Sequence, residues 1–207
     1  MQSLLAPRRY GKIKPPLGVR VNHGHPLAKG LVGCWLMNEM GGSRVHDLSG
    51  YNNHGTLTNM DPSTDWGIGI HGPKLSFDEQ NDYAELPDSP TLRLNGKCSL
   101  VARFKELTTG QAPILSHGPG NEYAFWKDAT GKLTFTGFGT YTWTTNSYVS
   151  VNVWTDIVWV YNGSNVSYYK DGILKESVNH TSNPTGASGV VRLTEYTGAI
   201  GSYPFQA

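Results

Sequence analysis

From Leu31 onward the chain is a train of short, strand-length segments cut by turn-forming residues, and no ten-residue window shows convincing helical periodicity. Few architectures satisfy that pattern. Short strands at regular spacing bury their apolar sides by packing two sheets together or by closing a barrel. The apolar run Leu31–Met37 has strand length, and Lys74–Phe77 and Tyr83–Leu86 read as strands around a turn at Asp78–Asp82. Cys98–Glu106 alternates, with Cys98, Leu100, Ala102 and Phe104 on one face. Glu122–Lys127 and Lys132–Phe138 form an expected hairpin at Asp128–Gly131. Trp154–Tyr161 is the strongest core strand. Val166–Lys170 and Ile173–Ser177 flank Asp171-Gly172, one of the best short hairpin signals.

Composition agrees. Only 16% of the 207 residues are charged, while Gly 25 and Pro 12 supply turns and Tyr 11 and Trp 6 favour pleated strands. One β-sandwich of this length is a reasonable single domain. A formal net charge of +1 gives no overall field suited to nucleic acid. No run approaches the ~20 apolar residues of a membrane span, and the first residues lack the pattern of a secretory signal. Cys34 and Cys98 are too few for a disulfide scaffold; a single bridge and two buried thiols both remain open.

Before the strands comes a Pro-rich stretch. Pro7, Pro15, Pro16 and Pro26 cannot donate to a ladder and hold their predecessors extended. Residues 1–29 are therefore expected to form an extended N-terminal arm and residues 30–207 the sandwich. Arg8, Arg9, Tyr10, Lys12 and Lys14 mark the arm as a candidate assembly element, with a solvated basic arm as the plainer alternative.

Five stretches, in order, resemble the laminin-G-like jelly roll of the concanavalin A-like lectin/glucanase group. They are Gly30–Glu39, the turn Asp47–Leu57, the stretch Leu75–Tyr83, the strand Trp154–Tyr161 and the hairpin Val166–Leu174. Glu79 stands where a glycine is usual. The resemblance implies an all-β, two-sheet antiparallel sandwich over about residues 30–203. It also implies a further strand beyond Ala199–Tyr203, where this sequence stops at Ala207. The segment Leu31–Met37 would then need a neighbour, either the arm, another copy or a different protein, or would stand as an exposed edge.

The chemistry-bearing residues do not assemble an enzyme on paper. Glycosidases of this group need two carboxylates about 5–5.5 Å apart or more, delivered by an alternating acidic strand. No such run exists; Asp78, Glu79 and Asp82 cluster at a turn instead, and His23-Gly24-His25 lies in the arm. Calcium is a possible ligand. Glu39, Asp47, Asn52 and Asn53 offer hard oxygens in a short span, and the resemblance implies that some relatives bind calcium near these turns. The same residues also build turns through side-chain to backbone bonds. In Phe138–Tyr148, aromatics alternate with hydroxyls, so Tyr141, Trp143 and Tyr148 are candidates for stacking against sugar rings, unless they face the core. The expectation is a non-catalytic attachment or structural module with a protein partner or self-association through arm and edge strand. The resemblance suggests a virion surface (capsid decoration) or bacterial cell surface. A lectin-like, glycan-binding module is the alternative.

Overall fold

The computed structural model describes residues 13–78, 80–118, 123–137, 141–181 and 186–194. The strands are β1 (Arg44–Val45), β2 (Gly55–Thr58), β3 (Trp66–Gly69), β4 (Gly72–Leu75), β5 (Tyr83–Leu86), β6 (Cys98–Lys105) and β7 (Ala112–His117). They continue through β8 (Tyr123–Lys127), β9 (Lys132–Gly137), β10 (Tyr141–Tyr148), β11 (Trp154–Tyr161), β12 (Asn165–Lys170), β13 (Ile173–Asn179) and β14 (Val191–Leu193). One sheet has eight strands in the order β1-β2-β5-β14-β7-β8-β9-β10, the second has four in the order β13-β12-β11-β6, and β3-β4 form a separate hairpin. All pairings are antiparallel. This is the expected all-β, two-sheet antiparallel sandwich.

The two large sheets meet through their inward-facing side chains. Along β11 every second residue is buried, placing Thr155, Ile157, Trp159 and Tyr161 inward. Trp159 is the hub: its ring lies 5.5 Å from Phe125, 5.9 Å from Phe135, 4.9 Å from Trp143 and 5.1 Å from Tyr168. The first three belong to the eight-stranded sheet and the last to the four-stranded one, so a single side chain joins both layers. A second tie is ionic. Lys127 at the end of β8 pairs with Glu106 just beyond β6, both fully buried. At the open flank, Glu176 of β13 accepts hydrogen bonds from the backbone N–H groups of Asn146 (2.6 Å) and Ser147 (3.2 Å) on β10.

Turns follow local chemistry. Gly131 adopts φ 92° at the β8–β9 hairpin, a conformation an L side chain rarely takes, and Asp128 caps that turn through the Thr130 and Lys132 N–H groups. The β12–β13 hairpin closes on Asp171 (φ 51°) and Gly172 (φ 80°) as its sequence demands.

Two expectations need correction. Leu31–Met37 is not a regular strand: only Trp35 makes an isolated antiparallel bridge, to Asp47. The Cys34 carbonyl accepts the Leu48 N–H (2.8 Å), so the segment finds partners in the Asp47 turn, and Met37 at φ 50° leaves extended geometry altogether. The strand placed at Lys74–Phe77 also begins earlier, at Gly72. Of the arm, residues 13–29 lie on their own sandwich, whereas Arg8, Arg9, Tyr10 and Lys12 are outside the described residues. The Lys14 N–H bonds the His71 carbonyl (2.8 Å), and the Asn38 side-chain amide donates to the Pro15 carbonyl (2.9 Å).

Candidate functional site

Asp47 organises the region where sequence reasoning placed a metal. The residue is 6% exposed. Oδ1 accepts the N–H groups of Cys34 (2.9 Å) and Ser49 (2.8 Å), while Oδ2 accepts the Ser49 hydroxyl (2.7 Å) and the Asn53 N–H (3.0 Å). Asn53, also buried, donates its side-chain amide to the Val32 carbonyl (3.0 Å) and the Thr91 hydroxyl (2.8 Å). Asn52 sits at φ 61°, a left-handed position that asparagine tolerates. This is turn-building chemistry.

Calcium does not fit that arrangement. A hard cation needs six to eight oxygens with open lone pairs, and both Asp47 oxygens point at donors. Glu39 reaches the His46 N–H with Oε1 (2.7 Å). Among the described residues, no group of three His, Cys, Asp or Glu could hold a metal. Asp47 and Asn53 are therefore spent on capping the turn, while Glu39 Oε2 is the carboxylate oxygen of the set without a hydrogen-bond partner. At 10 mM calcium chloride, a site with a Kd of about 10⁻⁴ M would add about 2.7 kcal/mol. Calorimetric unfolding is expected to show no shift; a rise of several degrees would overturn this reading.

Beside the turn lies a cleft of about 300 Å³. The arm supplies one wall, with Leu17, Gly18 and Val19; the body supplies the other, with Asn38, Glu39, His46, Asp47, Leu48 and His54. The two imidazoles meet edge to face, 5.2 Å between centroids. His54 Nδ1 accepts the Asp47 N–H (3.0 Å), which leaves Nε2 as the protonated nitrogen of the neutral ring. The lining mixes apolar side chains with a few placed polar groups, the usual make-up of a small-molecule site. Sequence reasoning named Glu39 and Asp47 but missed both histidines and the arm wall. Nothing in the spacing of residues 17–19 announces that they fold back over residues 38–54.

The aromatic strand is split. The Tyr141 backbone pairs with Gly137 on β9, while its side chain is outside the described residues. Trp143 packs edge-on against Trp159 and belongs to the core margin, so it offers no open stacking face on that side. Tyr148 is 53% exposed, with the Lys132 ammonium 5.5 Å from its ring centre. The stacking face expected at Tyr141 and Trp143 therefore lies partly outside the described residues.

Other reactive groups are structural. The Asp78 carboxylate accepts the N–H groups of Gln80, Asn81 and Asp82, and Asp82 returns a bond from the Asp78 N–H (2.9 Å). Burial pushes the Asp82 carboxyl up to about 6. Cys34 and Cys98 are free thiols, and burial raises Cys98 to about 11. No helix among the described residues is long and apolar enough to cross a membrane.

Comparison with solved structures places this geometry among known sandwiches. Domain 4 of AbnA, an extracellular GH43 arabinanase from Geobacillus stearothermophilus solved with arabinotriose, is 19% identical. The match covers 77% of this chain and 82% of that one, at a TM-score of 0.59. The receptor-binding domain of botulinum neurotoxin mosaic serotype C/D is 13% identical over 78% of this chain and 42% of its own, at 0.58. Trypanosoma rangeli sialidase, solved with sialic acid, is 16% identical over 82% of this chain and 28% of its own, also at 0.58. The chain thus spans less than half the length of the toxin domain and the sialidase. No curated protein sequence matched it. A family model, the laminin-G type described as the concanavalin A-like lectin/glucanases superfamily, matches residues 78–207, more than half of the chain. Together with the two-sheet architecture, this match shows that the chain belongs to the laminin-G-like branch of the concanavalin A-like lectin/glucanases superfamily.

Proposed function

We propose that this chain is a non-catalytic attachment module that recognises carbohydrate, with the cleft between the arm and the Asp47 turn as its binding site. The observation that carries the reading is the cleft itself: about 300 Å³, lined by apolar Leu17, Val19 and Leu48 together with two imidazoles. Sugars need such a mixture, C–H surfaces against apolar carbon and hydroxyls against placed donors and acceptors. The arabinotriose bound by the similar arabinanase domain supports the class of ligand. The capped Asp47 carboxylate and the Asp78–Asp82 turn offer no acid and nucleophile pair, which favours binding over hydrolysis.

A glycan array followed by titration with arabinotriose tests the reading. His46→Ala, which alters an exposed cleft side chain without touching the core, is expected to weaken binding about tenfold or more, equivalent to about 1.4 kcal/mol. Tyr148→Ala should leave it unchanged. No binding to any glycan, or binding indifferent to His46→Ala, would sink the assignment.

The second reading is assembly, including a virion-surface or cell-surface setting. It is favoured by the apolar residues that the arm holds in solvent: Ile13 at 77%, Leu17 at 67% and Leu27 at 87% exposure. A partner surface covering them would explain their presence. Deleting residues 1–29 is expected to abolish attachment to that partner and leave the sandwich folded.

A further inference from the structure

We propose that residues Lys14–Val19 form a strap that opens independently of the sandwich and gates the cleft, so that arm position regulates ligand access. The proposal rests on the carbohydrate reading only for the identity of the ligand; the strap itself stands on geometry.

The strap contributes nothing to the core. None of residues 13–30 is fully buried, and within the strap only Lys14 and Val19 are half-buried. It is held by the Lys14 N–H on the His71 carbonyl, by the Pro15 carbonyl on the Asn38 amide, and by a long contact of 3.5 Å from Lys14 Nζ to the Met37 carbonyl. Each of these can be exchanged for a bond to water when the strap lifts, so opening strands no polar group. Gly18, at φ 88°, follows immediately after Pro15, Pro16 and Leu17 and turns the segment over the cleft. Removing the strap deletes one wall, and the body wall of Asn38, Glu39, His46, Asp47, Leu48 and His54 stays in place. A ligand gripped between the walls must therefore stabilise the closed strap, and a partner that draws the arm away must weaken the ligand by the same factor.

Lys14 sets the sign of a pH effect. Its ammonium is pushed down to about 8, chiefly by burial; the Glu39 carboxylate opposes this, and the Arg103 guanidinium adds to it. In the open strap the amine has its ordinary value of 10.5. The closed state thus binds the proton less tightly than the open one. Closing is weakest below about pH 8 and gains as pH rises from there toward 10.5.

Amide hydrogen exchange on the full chain, corrected for the intrinsic pH dependence, tests the strap. The Lys14 amide should be far less protected than the β11 amides, and its protection should rise between pH 8 and 10. Lys14→Met, which removes the buried charge, should raise protection severalfold at pH 7 and flatten the pH dependence. Asn38→Ala should lower protection at Lys14 and leave β11 unmoved. Lys14 and β11 amides opening together, or Lys14→Met without effect, would overturn the proposal. Adding saturating arabinotriose separates the two readings. Greater protection at Lys14 supports both. A strap that opens as described but ignores every sugar removes the carbohydrate reading alone. Sugar-induced NMR shifts at His46 and His54 without a change at Lys14 remove the gating alone.

Discussion

Replacing Lys127 with methionine is expected to cost about 3–5 kcal/mol of folding free energy, roughly 6–20 °C in Tm for a chain of this size. The side chain lies 1% exposed in the interior and holds the equally buried Glu106 carboxylate between the two sheets. Removing the ammonium leaves a carboxylate in an apolar interior without its counter-charge, which costs far more than the pair contributes when intact. The double variant Lys127→Met/Glu106→Leu should therefore recover most of the loss, since apolar side chains of similar volume can replace a buried pair at little cost. Urea unfolding with a constant m-value would check both. Equal destabilisation by the single and double variants would show that the pair is not the source of the effect.

Asp47→Ala carries a penalty of similar size, about 3–5 kcal/mol, for a different reason. Three backbone N–H groups, those of Cys34, Ser49 and Asn53, lose their acceptor in a place that water reaches poorly. Each buried donor left unmade costs about 1–3 kcal/mol. Asp47→Asn keeps one carbonyl oxygen but turns an NH₂ group toward donors, so it should recover only part of the loss. Ser49→Ala removes the hydroxyl that donates to Asp47 and accepts the Tyr51 N–H, and is expected to cost about 1 kcal/mol. Thermal unfolding of the three variants should follow the order Ala, Asn, then Ser49→Ala from most to least harmful. A loss below about 1 kcal/mol for Asp47→Ala would mean the turn is held elsewhere.

These two residues also mark what a sequence can and cannot disclose. Trp154–Tyr161 was legible to the residue because a short run rich in β-branched and aromatic residues between turn signals reads as a strand, and its alternating burial agrees. The Asp171-Gly172 hairpin was equally plain, since turn chemistry is local. Strand β7 was not legible: all six of its residues are buried, so no alternation marks it. Strand β1 is two residues long and exists only because Gly55 and Thr56 pair with it. Around Asp47 the sequence picked out turn residues but not what their oxygens face. Spacing shows that carboxylates and amides lie near one another, but whether their oxygens face a cation or a set of N–H groups depends on backbone direction. The cleft was hidden for a related reason, because its arm wall and body wall are brought together by bonds such as Asn38 to Pro15 across 23 positions.

Glu176 has a consequence for crowded surroundings. Edge strands invite other chains to add on through their open N–H and C=O groups, the first step toward insoluble aggregates. Here a carboxylate from the opposite sheet already occupies the Asn146 and Ser147 N–H groups of β10 and sets a negative charge in the path of an arriving strand. Copies packed densely against one another would meet at that flank without zipping together, and the module could be displayed in close array while each copy stays a separate folded unit.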